Sequence, residues 1–287
     1  MKKIWLGCCL LVLITSCGGK KQNIDPFEML TKQIDSVSHV PDTVIVYDTV
    51  PNAEEIIPVT ADESFADFFY NFASDERFQR SRIVFPISYY KGKEIIQTEK
   101  DDWNYDPMFS RDLIYTILFD DEEDMEMEKD TGLYSVQVDW IYLRMKKIKR
   151  YYFQRIHERW FLEAINQEDL NYPDSEEENF FDFYTRFAND SIFQLERIQE
   201  PLAFVTVDPE DDFQILETVL NKGQWFSFCP PLLKERLTDI HYGQKDDPES
   251  DLKIIEIKGF GNGFNNTLYF RKINGIWKLI RFEDLSD

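Results

Sequence analysis

Cysteine is scarce. Of 4 cysteines in 287 residues, Cys8, Cys9 and Cys17 fall in the first seventeen, so Cys229 stands alone in the body of the chain. A disulfide within the body is therefore excluded. Cys229 lies in the apolar stretch Phe226-Ser227-Phe228-Cys229-Pro230, with no His or Lys adjacent to activate it, and an inert thiol is expected. Histidine is rarer still: His39, His157 and His241 are the 3 present, too dispersed for zinc-ligand spacing. No serine elbow and no glycine-rich phosphate loop occurs. Bases are outnumbered, 32 Lys and Arg against 54 Asp and Glu, for a net charge of −22. So acidic a chain is repelled by phosphate backbones and anionic headgroups, which argues against a nucleic-acid partner. No cofactor and no metal are expected.

A long apolar run is also missing, except at the start. Lys2 and Lys3 precede residues 4–14, an apolar stretch too short to span a bilayer. The sequence Ile14-Thr15-Ser16-Cys17 resembles the bacterial lipobox. The resemblance implies a signal peptide over 1–17, cleavage before Cys17 and lipids on that residue, an anchor stronger than one acyl chain gives. Removing residues 1–16 removes two lysines and takes the charge to −24. Membrane contact is then expected through the lipid alone. Residues 18–60 are expected to form a tether, spanning roughly 35 Å if coiled. Within it, residues 42–50 are rich in β-branched side chains and bracketed by Pro41 and Pro51, a spacer or a strand awaiting a partner. The start of the tether, Gly18-Gly19-Lys20-Lys21, carries no acids, which favours the periplasmic face of the outer membrane over the cell surface.

What the sequence does have is a repeat. Between Phe65 and Ile87, 11 of 23 positions are identical 115 residues later, among them Phe72/Phe187, Asp75/Asp190, Gln79/Gln194, Arg82/Arg197 and Pro86/Pro201. Tyr152-Phe153 returns as Tyr269-Phe270 and Trp160 as Trp277, now at an offset of 117, and Glu168-Asp169-Leu170 returns as Glu283-Asp284-Leu285. Because both ends recur, each copy is a whole unit of ordinary domain size. The boundaries are 61–170 and 177–287, with a linker at 171–176.

Each copy opens with an amphipathic helix. Phe65, Phe68, Phe69 and Phe72 share one face, as do Phe180, Phe183, Tyr184 and Phe187. Asp75 and Asp190 are placed to cap a second short helix. Strands are expected over 87–90 and 94–98, and over 202–207 and 213–218. Short helices are expected near 113–118 and 232–237. Three closing strands follow at 135–143, 151–156 and 160–165, and again at 253–260, 267–273 and 276–282. Asn274-Gly275 is a two-residue hairpin turn, replaced in the first copy by His157-Glu158.

Helices followed by an antiparallel meander mean an α+β fold with helices on one face of a curved sheet. The ending Leu268-Tyr269-Phe270-Arg271-Lys272-Ile273-Asn274-Gly275-Ile276-Trp277-Lys278-Leu279 resembles the last hairpin of nuclear-transport-factor-two-like domains, the cone-shaped fold shared with ketosteroid isomerase and scytalone dehydratase. The tandem layout behind a lipobox also resembles a family of bacterial lipoproteins without assigned activity. The resemblance implies two tandem cones, with a pocket between sheet and helices in one or both. In enzyme relatives that pocket holds an Asp or His with Tyr or Asp partners.

Few residues fit such chemistry. Asp67 and Asp182 lie opposite the apolar face of their helices and are expected in solvent. Asp139 and Glu256 match on the third strand of each copy. If the apolar face meets the helices they lie outside, and if the sheet is inverted they are the best catalytic bases. His241 is expected at the surface. Each repeated Arg is expected to pair with an acid near its helix end rather than to bind an anion. Residues 120–130 hold eight acids in eleven positions, but Met125 stands where a calcium loop needs glycine, so a solvated loop is expected. Residues 144–150 concentrate Lys146, Lys147, Lys149 and Arg150 on a hairpin tip that would dock an acidic partner or neutralise the 120–130 loop. Trp160 and Trp277 are expected in the cores, while Trp103 and Trp225, in irregular regions, are the ligand-facing candidates. These expectations describe an envelope lipoprotein that binds a small apolar ligand or a protein partner. An isomerase, dehydratase or hydrolase with an acidic pocket residue, and a purely structural component, are the alternatives.

Overall fold

A computed structural model describes residues 61–170, 177–208, 211–244 and 246–286, with the backbone alone at 211–213. The lipobox, Cys17, the tether with its 42–50 segment and the linker lie outside the described residues. Those described belong to one compact unit, Ile56–Asp287. None of their helices is long and apolar enough to cross a membrane.

The helices form where the apolar spacing places them. Helix α1 (Phe65–Ser74) is capped by Ser64, and α2 (Glu76–Ser81) by Asp75, whose side chain accepts from Phe78 N. In the second repeat Asn179 caps α3 (Phe180–Asn189) and Asp190 caps α4 (Ser191–Arg197). A short helix α5 (Trp225–Phe228) follows later. Asp67 and Asp182 are exposed. The apolar stripes of α1 and α3 meet the same rings. Phe65 lies 5.4 Å from Phe153 and 5.1 Å from Trp160; Phe180 lies 5.6 Å from Phe270 and 5.1 Å from Trp277. Each of these buried rings contributes on the order of 2 kcal/mol by burial alone.

Six strands come from each repeat: β1 (Ile83–Lys91), β2 (Glu94–Thr98), β3 (Ile114–Phe119), β4 (Ser135–Tyr142), β5 (Lys147–Ile156) and β6 (Arg159–Asp169), then β7 (Ile198–Asp208), β8 (Asp211–Leu220), β9 (Arg236–His241), β10 (Leu252–Gly259), β11 (Asn265–Ile273) and β12 (Ile276–Asp284). They build two sheets, ordered β2-β1-β6-β5-β4-β9 and β3-β10-β11-β12-β7-β8. The β1–β6 and β7–β12 pairs are parallel and the others antiparallel. This is the α+β architecture expected, with helices packed on sheets.

The exchange of β3 and β9 was not expected. Each sheet takes its last strand from the other repeat, so the repeats are distinct in sequence but interlocked in space. The helix expected at 113–118 is strand β3, and the one expected at 232–237 is irregular chain that runs into β9 at Arg236. Their apolar residues are spaced as if on a helix because both faces are buried. Ile117 and Phe119 enter the first core and Leu118 the second; Ile240 enters the first and Leu237 the second. A strand buried on both faces reads as a continuous apolar run, which periodicity alone cannot separate from a helix.

The second sheet's helix-free face is covered in the same way. Ile254 and Tyr269 belong to the first core, together with Met125 and Met127 from the acidic 120–130 run. That run is therefore a cover rather than a solvated loop, because its two methionines anchor it. Its counter-charges are Lys253 on Asp120, Lys258 on Glu128 and Arg281 on Glu122, all from the second sheet and none from residues 144–150.

Candidate functional site

The strand ladders set corresponding rows of side chains side by side in the two repeats. On the helix side of the first sheet, one row past Phe153, the register aligns Tyr89, Ile165, Tyr151, Val138 and Ile240. The next row is Lys91, Gln167, Lys149, Trp140 and Thr238. In the second sheet the corresponding rows are Phe204, Phe282, Leu268, Ile255 and Leu118, then Thr206, Asp284, Asn266, Ile257 and Thr116. One fold thus presents a polar aromatic lining in the first repeat and an apolar one in the second.

In the first repeat Asp106 closes over these rows. Its Oδ2 accepts from the Tyr151 hydroxyl at 2.6 Å and lies 3.6 Å from Lys149 Nζ, and its Oδ1 accepts from Met108 N at 3.0 Å. The Lys149 ammonium stands 4.5 Å from the centre of the Tyr151 ring. Burial holds the Lys149 amine below the usual lysine range, with Asp106 opposing the shift. Burial raises the hydroxyls of Tyr151, Tyr142 and Tyr89, so these remain neutral donors. The Tyr89 hydroxyl donates to Gln167. In the second repeat Phe204 stacks on Phe282 at 5.3 Å and meets Phe228 at 5.3 Å, while Trp225 packs on Phe282 at 5.7 Å. Asn266 is tied to Asp284 at 2.6 Å. These rings fill the space that the first repeat lines with Tyr, Lys and Asp.

Trp103 and Trp225 prove to be counterparts. Trp103 Nε1 donates to Gln79 Oε1 at 3.1 Å, and Trp225 Nε1 to Gln194 Oε1 at 2.8 Å. This bond accounts for the repeated glutamines. Trp225 is wholly buried and offers no surface to a ligand, whereas Trp103 is half-buried at the edge of the first-repeat site. The repeated arginines are helix-end partners: Arg82 grips Asp62 at 3.0 and 2.8 Å, and Arg197 grips Glu178 at 2.7 and 3.0 Å. Each acid also accepts the backbone N–H of the repeated tryptophan, Trp160 or Trp277, at 3.0 Å.

The basic residues 146–150 are not a free patch. Lys146 pairs with Asp182, Lys147 with Asp169, Lys149 with Asp106, and Arg150 with Asp139 and Glu168. Residues 147–150 lie within β5 rather than at a tip, so alternation sends Lys149 to the helix side and Arg150 to the other.

That other face holds a second cluster. Asp139 lies there as the unreversed sheet requires, yet it is almost wholly buried, because this face of β4 packs into the second core, which its neighbour Ile141 joins together with Leu237 of the second repeat. Strand β9 brings Asp239 opposite Asp139. His241 Nε2 bridges the pair, 3.1 Å from Asp239 Oδ2 and 3.4 Å from Asp139 Oδ2. Burial alone would lower His241, but the two carboxylates outweigh it and raise its pKa to about 10. Burial pushes Asp239 up to about 7. Asp239, His241 and Asp246 bring potential ligand atoms within 4.8 Å of one another. His241 Nε2 is already engaged by carboxylates and Arg150 stands beside Asp139, so the cluster is an ion-pair lock rather than a cation site. Glu256, the counterpart of Asp139, is buried near Lys258, with burial raising its pKa. Neither acid faces the helix-side site, so neither is a base for it. The sequence does not single out His241, because one of the two carboxylates that hold it, Asp139, comes from the other repeat.

A cleft of about 440 Å³ opens where β3, β10 and β11 end, lined by Asp120, Asp251, Leu252, Arg271 and Lys272 among others. Its Asp120 and Lys272 are matched by Lys253 and Glu177. It lies apart from the polar rows of the first repeat. Cys229 is half-buried, and burial raises its thiol to about 11, which keeps it inert.

An NTF2-like protein from Bacteroides fragilis, known from a crystal structure, is 49% identical to the chain, with a TM-score of 0.77 over 80% of this chain and 100% of that one. No curated protein matches. The profile of the family described as Domain of unknown function (DUF4348) matches residues 48–284. Over that span the two interlocked helix-on-sheet units lie, and the chain belongs to this family.

Proposed function

We propose that the protein is an envelope lipoprotein, anchored through Cys17 at the periplasmic face of the outer membrane, that binds a small ligand in its first repeat. The observation that carries the ligand reading is the contrast between equivalent rows: Tyr151, Lys149 and Asp106 in the first repeat against Leu268, Asn266 and Phe228 in the second. A purely structural role has no use for this difference, since the aromatic filling of the second repeat is the simpler way to close a core. The ligand that fits is small and largely apolar, stacks on Tyr or Trp, and presents a hydrogen-bond acceptor or an anionic group to Lys149. The second repeat then serves as a scaffold whose strand β9 completes the first sheet.

Catalysis is the second reading, favoured by the short Tyr151–Asp106 bond of 2.6 Å. Binding fits better because both Asp106 oxygens already accept from protein donors, Tyr151 and Met108 N, which ties the carboxylate into the wall of the site.

The test is a thermal-shift screen of the chain against lipids, sugars and peptides. A ligand at about 100 times its Kd adds about 2.7 kcal/mol to stability, a readily measured rise in Tm. The expected hit raises Tm in the unaltered chain and not in Lys149→Met. A hit that survives Lys149→Met removes the site, and a screen without hits removes the reading. Loss of membrane association in Cys17→Ser tests the anchor.

A further inference from the structure

Lys149 is a nucleophile that the second repeat does without. Its counterpart Asn266 donates through Nδ2 to Asp284 Oδ1 at 2.6 Å and to Ser286 Oγ at 3.0 Å, so a neutral amide satisfies the fold at this position. The Lys149 amine is not settled in that way. Among the described residues no oxygen accepts a hydrogen bond from it. Asp106 Oδ2 stands 3.6 Å away, beyond hydrogen-bond length, and already accepts from the Tyr151 hydroxyl at 2.6 Å. The amine rests instead over the Tyr151 ring, 4.5 Å from its centre, with the centre of the Tyr89 ring at 6.0 Å. The Lys149 side chain is 22% exposed, so a ligand entering the site can reach it. Burial favours the neutral amine, the form that carries the lone pair.

A lysine partly withdrawn from water against aromatic rings is the setting in which an amine attacks a carbonyl carbon. We propose that Lys149 holds its ligand covalently, as a Schiff base with a planar, apolar aldehyde or ketone. This rests on the ligand reading of the first repeat and names the class of compound that the site takes. The nitrogen lone pair forms the new C–N bond, and the carbonyl oxygen departs as water with two of the three ammonium protons. Nothing is oxidised or reduced. The resulting iminium keeps one proton and the positive charge, so Asp106, tied in place by Tyr151 and Met108 N, serves as counter-ion before and after the step. The planar body of the ligand lies on the half-buried rings of Tyr89 and Tyr142, which flank Lys149 in the neighbouring rows of the sheet.

The probe is 2-naphthaldehyde on the whole chain, with sodium cyanoborohydride to reduce the imine to a stable amine. Peptide mapping by mass spectrometry locates the naphthylmethyl group. Lys149 should be labelled about tenfold or more faster than the exposed Lys91 and Lys129, because the site holds the aldehyde against it. As pH falls, labelling of Lys149 should outlast that of Lys129, since burial lowers the first amine while Glu126 raises the second. Lys149→Arg keeps the cation and should lose this adduct alone, with the other lysines labelled as before. Labelling spread evenly over the lysines, or directed to Lys91 instead, overturns the proposal in the unaltered chain without need of a variant. The alcohol 2-naphthylmethanol, which has no carbonyl, separates this inference from the reading beneath it. If the alcohol raises Tm and the aldehyde leaves no adduct at Lys149, covalent capture is overturned and the ligand site stands. If neither compound raises Tm and no adduct forms there, capture is overturned and the ligand reading loses support with it.

Discussion

Thr116 and Thr238 bind each other as mirror partners across the contact between β3 and β9. Thr116 N donates to Thr238 Oγ1 at 2.7 Å and Thr238 N to Thr116 Oγ1 at 2.8 Å. Each hydroxyl in turn donates to the other's carbonyl, at 2.6 and 2.9 Å. Reciprocal bonding of this kind marks a two-fold axis in a symmetric dimer. Here it marks a pseudo-axis within one chain, and both residues are buried. Thr116→Val leaves the Thr238 N–H without an acceptor, at an expected cost of about 1–3 kcal/mol. Thr238→Val should cost the same. The double variant should cost less than the sum of the two, because the residues act as one unit. Urea unfolding of the three variants measures this, and full additivity would count against the pairing.

Because each sheet borrows a strand, neither repeat is complete alone. Residues 61–170 lack β9, which leaves one edge of β4 unpaired and Asp139 without His241. The isolated first repeat is expected to be unfolded, or to recover the missing edge by exchanging β3 between two copies. Mixing it with residues 177–287 should restore the native circular dichroism and a 1:1 complex in light scattering. A stable folded monomer of residues 61–170 would contradict the exchange.

His241 ties stability to pH. Its folded pKa of about 10 exceeds the ordinary histidine value of about 6.5. The stabilisation from its protonation is therefore fully present below about pH 6.5 and is lost as pH rises through 10. Asp239, raised to about 7, acts in the same direction over a lower window, from about 3.8 up to 7. In His241→Gln the decline between about pH 6.5 and 10 should disappear. At neutral pH the variant should lose about 3–5 kcal/mol, because two buried carboxylates lose their shared cation. Urea midpoints from pH 6 to pH 10 give both readings.

The parts of this architecture legible in the sequence are those encoded locally. The Phe stripe of α1, the caps Asp75 and Asp190, and the Asn274-Gly275 turn depend on near neighbours, and each formed as its pattern requires. The exchange was hidden because Thr116 and Thr238 repeat at an offset of 122, unlike the 115 and 117 seen elsewhere. Trp103 and Trp225 share the offset of 122, so the repeat at 115 and 117 does not pair them either. Glu168 and Glu283 mislead in the opposite sense. They match in sequence, yet strand pairing makes Asn166 the counterpart of Glu283, since Tyr90 pairs with Asn166 where Val205 pairs with Glu283. In the sequence Lys149 merges into a basic run, because the strand alternation that parts it from Arg150 depends on where β5 begins, at Lys147.

The two closing hairpins offer a paired test of local strain. Asn274 and Gly275 adopt φ of +51° and +74°, and His157 and Glu158 adopt +47° and +65° at the matching turn. Both turns are thus left-handed at both central positions, the form that matches the twist of the flanking strands. Asn and Gly accept this conformation readily, whereas an ordinary L-residue there costs roughly 1–2 kcal/mol. His157 and Glu158 are exposed, so their replacement disturbs no packing. His157→Asn/Glu158→Gly should therefore stabilise the chain by about 1–2 kcal/mol, offset slightly by the extra freedom of glycine in the unfolded state. The reverse change, Asn274→His/Gly275→Glu, should destabilise it by a similar amount. For a chain of this size each kcal/mol moves Tm by about 2–4 °C. Thermal unfolding of the two double variants should show shifts of opposite sign, and shifts of the same sign would mean that the turn geometry is not what separates them.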